Sequence, residues 1–295
     1  MGTNAEQAAQ LQREWQTDPR WAGIARNYTA QDVIRLRSSV AAECSLAHRG
    51  ASRLWDLLHR PDALPTLGTL VGDDPAEAAR PGSQAIYLPG WQAAGVADAF
   101  EQTTAVIEAG AAALRLEDQL PGGKVLIPTG QHIETLTAAR LAADVLGVPS
   151  LIIARSGART ASLLTSDADD RDHEFLTGEL TPDGFHRVEP GLYAHVTRAL
   201  AFAPYADMLW LQTPAPDLAV ARAFADIIRS QFPDKLLAYS SGRPFTAWAH
   251  PADASAAKFQ RELAAIGYRF QSAVPGESTS DLADRRPHDA APAYA

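Results

Sequence analysis

The stretch Gly147-Val148-Pro149-Ser150-Leu151-Ile152-Ile153-Ala154-Arg155-Ser156 decides the fold class. Gly147 followed by Pro149 is a helix stop, because glycine accepts the left-handed conformation that ends a helix and proline cannot continue one. Residues 131–146 before it read as a helix. Leu151-Ile152-Ile153-Ala154 after it is a continuous apolar run, the mark of a strand buried on both faces. The unit is helix, stop, buried strand, with Arg155 at the strand's C-terminal end.

The unit recurs in both directions. Further apolar runs are Ala85-Ile86-Tyr87-Leu88, Ala112-Ala113-Leu114-Arg115-Leu116, Met208-Leu209-Trp210-Leu211 and Leu236-Leu237-Ala238-Tyr239. Residues 101–109, 192–202, 218–230 and 254–266 read as helices between or after them. Near-continuous apolar strands alternating with helices predict an α/β fold with a parallel sheet, either a TIM-type (β/α) barrel or a doubly wound sheet. No G-x-G-x-x-G follows the first run, which disfavours a dinucleotide fold.

Residues 1–83 read as a helical N-terminal region. Residues 5–17 are good helix formers, and Thr29 is an N-cap with Asp32 completing a capping box. Residues 44–60 form a second amphipathic stretch. Residues 61–83 carry four prolines and three glycines and read as connection. Residues 84–271 are expected to be the barrel-like domain. Residues 272–295, rich in Pro, Ser, Asp and Ala, are expected to be a mobile tail.

The 295-residue chain has 46% apolar and 21% charged residues, a globular balance, and a formal net charge of −9. An acidic chain without a basic stripe is a poor partner for nucleic acid or anionic membranes. The single cysteine, Cys44, permits no intramolecular disulfide and suits a reducing compartment. The N-terminus lacks a signal-peptide pattern, and no run reaches the roughly 20 apolar residues that span a bilayer, so a cytoplasmic location is expected.

In a β/α barrel, ligands meet the C-terminal strand ends. Those ends carry Gly90-Trp91-Gln92, Glu117-Asp118-Gln119, Arg155-Ser156, Gln212-Thr213 and Ser240-Ser241-Gly242-Arg243. Glu117 and Asp118 are a carboxylate pair that could hold a hard cation such as Mg²⁺, although such a pair is commonly a cap or an exposed loop. Arg155 and Arg243 could clamp substrate carboxylates, although a lone arginine after a strand is commonly a surface ion-pair partner. Trp91 fits packing as readily as ligand contact. His132, His173, His186 and His195 have no metal-ligand spacing, and the cluster Asp167, Asp169, Asp170 and Asp172 lacks the calcium-loop pattern and reads as a solvated face.

Collinear segments carry a resemblance. They include Pro19-Arg20-Trp21-Ala22-Gly23-Ile24, Tyr28-Thr29-Ala30-Gln31-Asp32-Val33, Leu54-Trp55-Asp56-Leu57-Leu58 and Ala85-Ile86-Tyr87-Leu88-Pro89-Gly90-Trp91-Gln92. Ile107-Glu108-Ala109-Gly110-Ala111-Ala112-Ala113 leads into Glu117-Asp118-Gln119, then Gly122-Gly123-Lys124-Val125-Leu126-Ile127-Pro128-Thr129. Leu200-Ala201-Phe202-Ala203-Pro204-Tyr205-Ala206-Asp207 and Lys235-Leu236-Leu237-Ala238-Tyr239 follow. From about residue 7 to Gln271 the chain resembles the isocitrate lyases of the isocitrate lyase/phosphoenolpyruvate mutase superfamily. The resemblance implies a (β/α) barrel, usually tetrameric with a swapped helix. It implies Mg²⁺-dependent cleavage of isocitrate to succinate and glyoxylate, the glyoxylate-bypass reaction, with a cysteine in a Lys-Lys-Cys-Gly-His loop as the acid. By position it assigns substrate contact to Gly90, Trp91 and Arg155, and the metal network to Glu117; Asp118 joins Glu117 as a metal candidate through the carboxylate pair they form.

The chain departs from that pattern. Asp118-Gln119-Leu120-Pro121 runs directly into Gly122-Gly123-Lys124, so the cysteine loop is absent and no catalytic residue carries over. Trp91-Gln92-Ala93-Ala94 passes into Gly95-Val96 where the family has its second strand and a metal-binding aspartate. Ser156-Gly157 replaces Thr-Asp, Gln212 replaces a glutamate, and Ser240-Ser241-Gly242-Arg243-Pro244-Phe245 replaces the Asn-Cys-Ser-Pro-Ser-Phe loop. The barrel is therefore expected to be incomplete or distorted, and the chain to be a homologue impaired or inactive in the family reaction. The alternatives are an active carbon–carbon lyase on another small 2-hydroxy or 2-oxo acid, and a non-enzymatic carboxylate binder. A homo- or hetero-oligomer with lyase subunits is an expected partnership.

Overall fold

The computed structural model describes residues 3–40, 43–60, 96–120, 125–241 and 254–273. The expected strand at 85–88, Gly90, Trp91, Gln92 and Arg243 lie outside these residues.

Three N-terminal helices come first: α1 (Asn4–Thr17), α2 (Ala30–Leu36) and α3 (Ser45–His59). The capping box predicted for α2 is present, with the Thr29 side chain accepting from the Asp32 N–H and the Asp32 side chain accepting from the Thr29 N–H. Thereafter α4 (Val96–Glu108), β1 (Ala113–Glu117), β2 (Val125–Leu126), α5 (Thr129–Leu146), β3 (Leu151–Arg155), β4 (Leu163–Leu164), β5 (Leu176–Leu180), β6 (His186–Val188), α6 (Leu192–Phe202), β7 (Met208–Thr213), α7 (Leu218–Gln231), β8 (Leu236–Ser241), α8 (Ala254–Ile266) and β9 (Tyr268–Ala273) follow. Gly147 ends α5 at φ 68°, its N–H and that of Val148 returning to the last helical carbonyls, as the sequence predicts.

Five strands form one sheet in the order β1-β3-β7-β8-β9, every pair parallel. Among the described residues it is open, with β1 and β9 each pairing one neighbour. The strand β9 was not anticipated. It extends two residues into the segment expected as tail, and its alternating Tyr268-Arg269-Phe270-Gln271 is too short and polar to stand out beside the apolar runs. A register shift between Leu237 and Ala238 against β9 turns Tyr268 and Phe270 to opposite faces, so each joins a different core.

Alternation along the strands sorts the core in two. Ile152, Ala154, Leu209, Leu211, Leu237 and Tyr239 pack under α5, α6, α7 and α8, whose inner residues include Leu136, Phe202, Phe224 and Leu263. Leu151, Ile153, Met208, Trp210, Leu236 and Ala238 form the other face and pack against Ala51 and Leu58 of α3. The N-terminal region thus covers the face that a closed barrel would turn inward. A small sheet in the order β2-β4-β6-β5 lies beside the main one, around Leu126, Leu164 and Val188.

Buried charge ties the N-terminal segment to the sheet. Arg20 donates to Asp207 at 2.6 Å and to the Pro149 carbonyl at 3.2 Å. Arg140, itself buried, pairs with the second Asp207 oxygen, which also accepts the Ile152 N–H at 2.6 Å. Arg26 and Tyr28 converge on Asp144 at 2.8 and 2.6 Å. The Arg20 guanidinium stacks 4.0 Å from the Trp55 ring and 4.5 Å from that of Trp21. Arg20, Trp21, Tyr28, Trp55 and Asp207 belong to the segments quoted for the family resemblance, and here they hold the fold together.

Candidate functional site

The C-terminal ends of β1, β3, β7 and β8 bring Glu117, Arg155, Gln212 and Ser240 to one end of the sheet. Glu117 and Arg155 are register partners on adjacent strands, so their side chains leave the sheet on the same face. Arg155 pairs with Glu117 Oε2, and Arg115, two residues before Glu117 and on its face, pairs with Oε1 at 2.6 Å. All three side chains are largely buried, at 16% exposure for Arg115, 17% for Arg155 and 7% for Glu117. Burial alone would raise the Glu117 carboxyl. The charges of Arg155 and Arg115 more than reverse this and hold it below the ordinary glutamate range. Arg115 also lies 5.0 Å from the Trp210 ring centroid, and Trp210 Nε1 donates to Ser240 Oγ at 2.8 Å.

Asp118 turns the other way. Its carboxylate accepts from Ser156 Oγ at 2.6 Å, the Gly157 N–H at 2.7 Å and Arg198 Nη1 at 2.7 Å. Arg198, on α6, extends to the Ile127 carbonyl and to Asp172, both within 2.9 Å. Asp172 accepts from the N–H and hydroxyl of Thr129 at the start of α5, and Asp169 accepts the next N–H, from Gly130. The acidic cluster expected to be a solvated face therefore places two members at a helix N-terminus, where the peptide dipoles favour negative charge. Burial raises the Asp118 carboxyl, and Arg198 with the hydrogen bonds from Ser156 and Gly157 brings it below the usual aspartate range. His132 and His195 are buried nearby, and burial pushes both down to about 4, so both are neutral at pH 7.

The two carboxylates expected to share a metal are thus on opposite faces of β1. Glu117 and Arg155, assigned by the resemblance to the metal network and to substrate respectively, are brought together as an ion pair. Sequence reading missed Arg115 and Arg198. Arg115 stands two residues from Glu117, the spacing that puts two strand residues on one face. Arg198 is a charged residue on the inner side of an otherwise apolar helix, which a buried partner explains.

Mg²⁺ does not fit the described residues at this end of the sheet. Each Glu117 oxygen already accepts a guanidinium, and among the described residues no three His, Cys, Asp or Glu side chains are grouped to hold a metal ion. At an effective dielectric constant near 20, one carboxylate at about 2 Å offers a divalent ion roughly 16 kcal/mol. Two guanidinia at about 4 Å oppose it by about 8 kcal/mol each. The terms cancel before the ion's reluctant dehydration is counted.

The Isocitrate lyase family profile matches residues 93–183 and 179–286. The chain is 40% identical to isocitrate lyase 1 of Mycobacterium tuberculosis, over 90% of this chain and 78% of that one. It is 39% identical to the isocitrate lyase of Escherichia coli, over 92% of this chain and 80% of that one.

The chain belongs to the isocitrate lyase family.

The alignment with the mycobacterial isocitrate lyase runs over 335 positions, more than the 295 residues here, so it opens gaps within this chain. Solved structures agree on the fold. A 2,3-dimethylmalate lyase described as a PEP mutase/isocitrate lyase superfamily member superposes with a TM-score of 0.52 at 17% identity, over 76% of this chain and 80% of that one. An oxaloacetate acetylhydrolase gives 0.52 at 15% identity, over 76% and 79%. As an isocitrate lyase family member, the chain keeps the family's α/β architecture with a sheet that remains open among the described residues. No described helix is long and apolar enough to cross a membrane.

Proposed function

We propose that this isocitrate lyase family protein binds a small carboxylate at the C-terminal end of its sheet and does not complete the family's Mg²⁺-dependent cleavage of isocitrate. The observation that carries the reading is the Glu117 carboxylate held between Arg115 and Arg155, with Asp118 on the opposite face paired to Arg198. Cleavage of this kind builds alkoxide charge on the hydroxyl oxygen that becomes the glyoxylate carbonyl, and as the carbon–carbon bond breaks that charge passes to the succinate carbon. A catalyst needs a cation for the first and an acid for the second. The loop that carries the family's acid is missing between Pro121 and Gly122.

Carboxylate recognition is what the remaining residues support. Among the described residues, two guanidinia face the one Glu117 carboxylate at this end of the sheet, and the buried Arg155 Nε–H has no hydrogen-bond partner there. Gln212 and Ser240, register partners at neighbouring strand ends on the face of Arg155, are neutral side chains that can donate to a carboxylate. A cytoplasmic site and association with intact lyase subunits belong to the same proposal, supported by the family and by the open sheet.

Thermal unfolding with millimolar succinate or glyoxylate tests the binding claim. Binding to the native state raises the melting temperature in proportion to ligand occupancy. The expected result is a rise that Arg155→Met removes. Identical melting curves with and without both ligands would reject carboxylate binding.

A further inference from the structure

Arg115 stands two residues before Glu117 on the same strand face, and the structure places it at the centre of the strand-end cluster. Its guanidinium is fixed from two sides. Glu117 Oε1 holds it at 2.6 Å, and the Trp210 ring lies beneath it at 5.0 Å. Trp210 is itself 1% exposed and anchored through Nε1 to Ser240. Arg115 cannot leave without giving up both an ion pair and a cation–π contact.

The arrangement puts a permanent positive charge on the carboxylate oxygen that a metal would need. The next carboxylate along the chain, Asp118, faces away and is committed to Arg198, Ser156 and Gly157. We infer that Arg115 supplies, as a fixed part of the chain, the positive charge a divalent cation would carry, so that small carboxylates bind at this end of the sheet without a metal. This deepens the proposed carboxylate binding and rests on it.

Two measurements on the full chain separate the claims. Mn²⁺ alone is titrated by electron paramagnetic resonance, which counts free ion. Succinate is titrated calorimetrically, once with EDTA and once with Mg²⁺. The expected results are no Mn²⁺ uptake at millimolar ion and a succinate affinity that agrees within about twofold in the two buffers. Arg115→Met, which keeps the stem over Trp210, weakens succinate by about tenfold or more, and Arg115→Lys recovers part of the loss. Circular dichroism checks that both variants fold, and the wild-type comparison stands without either. Stoichiometric Mn²⁺ uptake that Glu117→Gln abolishes, or a succinate affinity raised about tenfold by Mg²⁺, overturns the inference while leaving carboxylate binding in place. Absence of succinate binding in both buffers overturns both.

Discussion

Glu117 and Asp118 are consecutive residues whose carboxylates leave β1 on opposite faces, Glu117 onto Arg155 and Asp118 onto Arg198. A strand alternates its side chains, so neighbours in sequence at a strand end are the pair least able to share one ion. Each carboxylate has acquired its own arginine. That division turns a candidate metal pair into two separate ion-pair clusters, one at the open end of the sheet and one under α6.

The cluster under α6 is structural. Arg198 is 3% exposed at its side chain and pairs with both Asp118 and Asp172. Arg198→Leu leaves two buried carboxylates short of a partner and is expected to destabilise the fold by about 3–5 kcal/mol. A urea denaturation series reads the change. A loss below about 1 kcal/mol would show that the cluster is replaceable.

The two buried histidines make stability depend on pH. Both are depressed to about 4 in the folded chain, whereas an unfolded histidine titrates near 6.5. Between those values the unfolded state binds more protons, so stability is full above about 6.5, falls as pH drops and levels off below about 4. The difference amounts to about 3 kcal/mol per histidine. His132→Leu is expected to flatten the dependence of the urea midpoint between pH 7 and pH 4.5. An unchanged slope would show that His132 is accessible to protons in the native state.

Asp207 fastens the N-terminal segment. Its oxygens serve Arg20, Arg140 and the Ile152 N–H, and the Arg20 and Arg140 charges hold it well below the usual range after burial is overcome. Asp207→Asn is expected to cost about 3–5 kcal/mol, because Arg140 is left buried and unpaired. Limited proteolysis should then cut between α1 and α2 first. A variant as resistant as the parent would show that the indole stacking on Arg20 suffices.

Gly157 is kept small by Gln119. A methyl group there would come within 1.9 Å of the Gln119 carboxamide carbon. Gly157→Ala is expected to cost about 1–3 kcal/mol, and adding Gln119→Ala should recover most of it. Additive losses would place the strain elsewhere. The same crowding predicts that Gly157→Asp alone is at least as costly as Gly157→Ala.

Much of the strand–helix order was legible because Leu151-Ile152-Ile153-Ala154 and its counterparts are buried on both faces, and Gly147-Val148-Pro149 punctuates them. The strand β9, whose side chains are mixed, and the strands β2 and β4, two residues each and too short to show a pattern, were not. At the site, Glu117 and Arg155 could be placed from strand ends. The divergence of Asp118 was implicit in strand alternation, but its destination depended on Arg198, 80 residues away. Arg115 was overlooked because an arginine inside an apolar run reads as an interruption of the strand, although its two-residue spacing from Glu117 put both on one face.

Glyoxylate release from isocitrate by the purified chain, across a range of Mg²⁺ concentrations, tests the central claim most directly. The account predicts no turnover above that of Glu117→Gln at any Mg²⁺ concentration, with the chain folded throughout. Mg²⁺-dependent release that Glu117→Gln abolishes would contradict it, showing that Glu117 leaves its arginines to hold a metal.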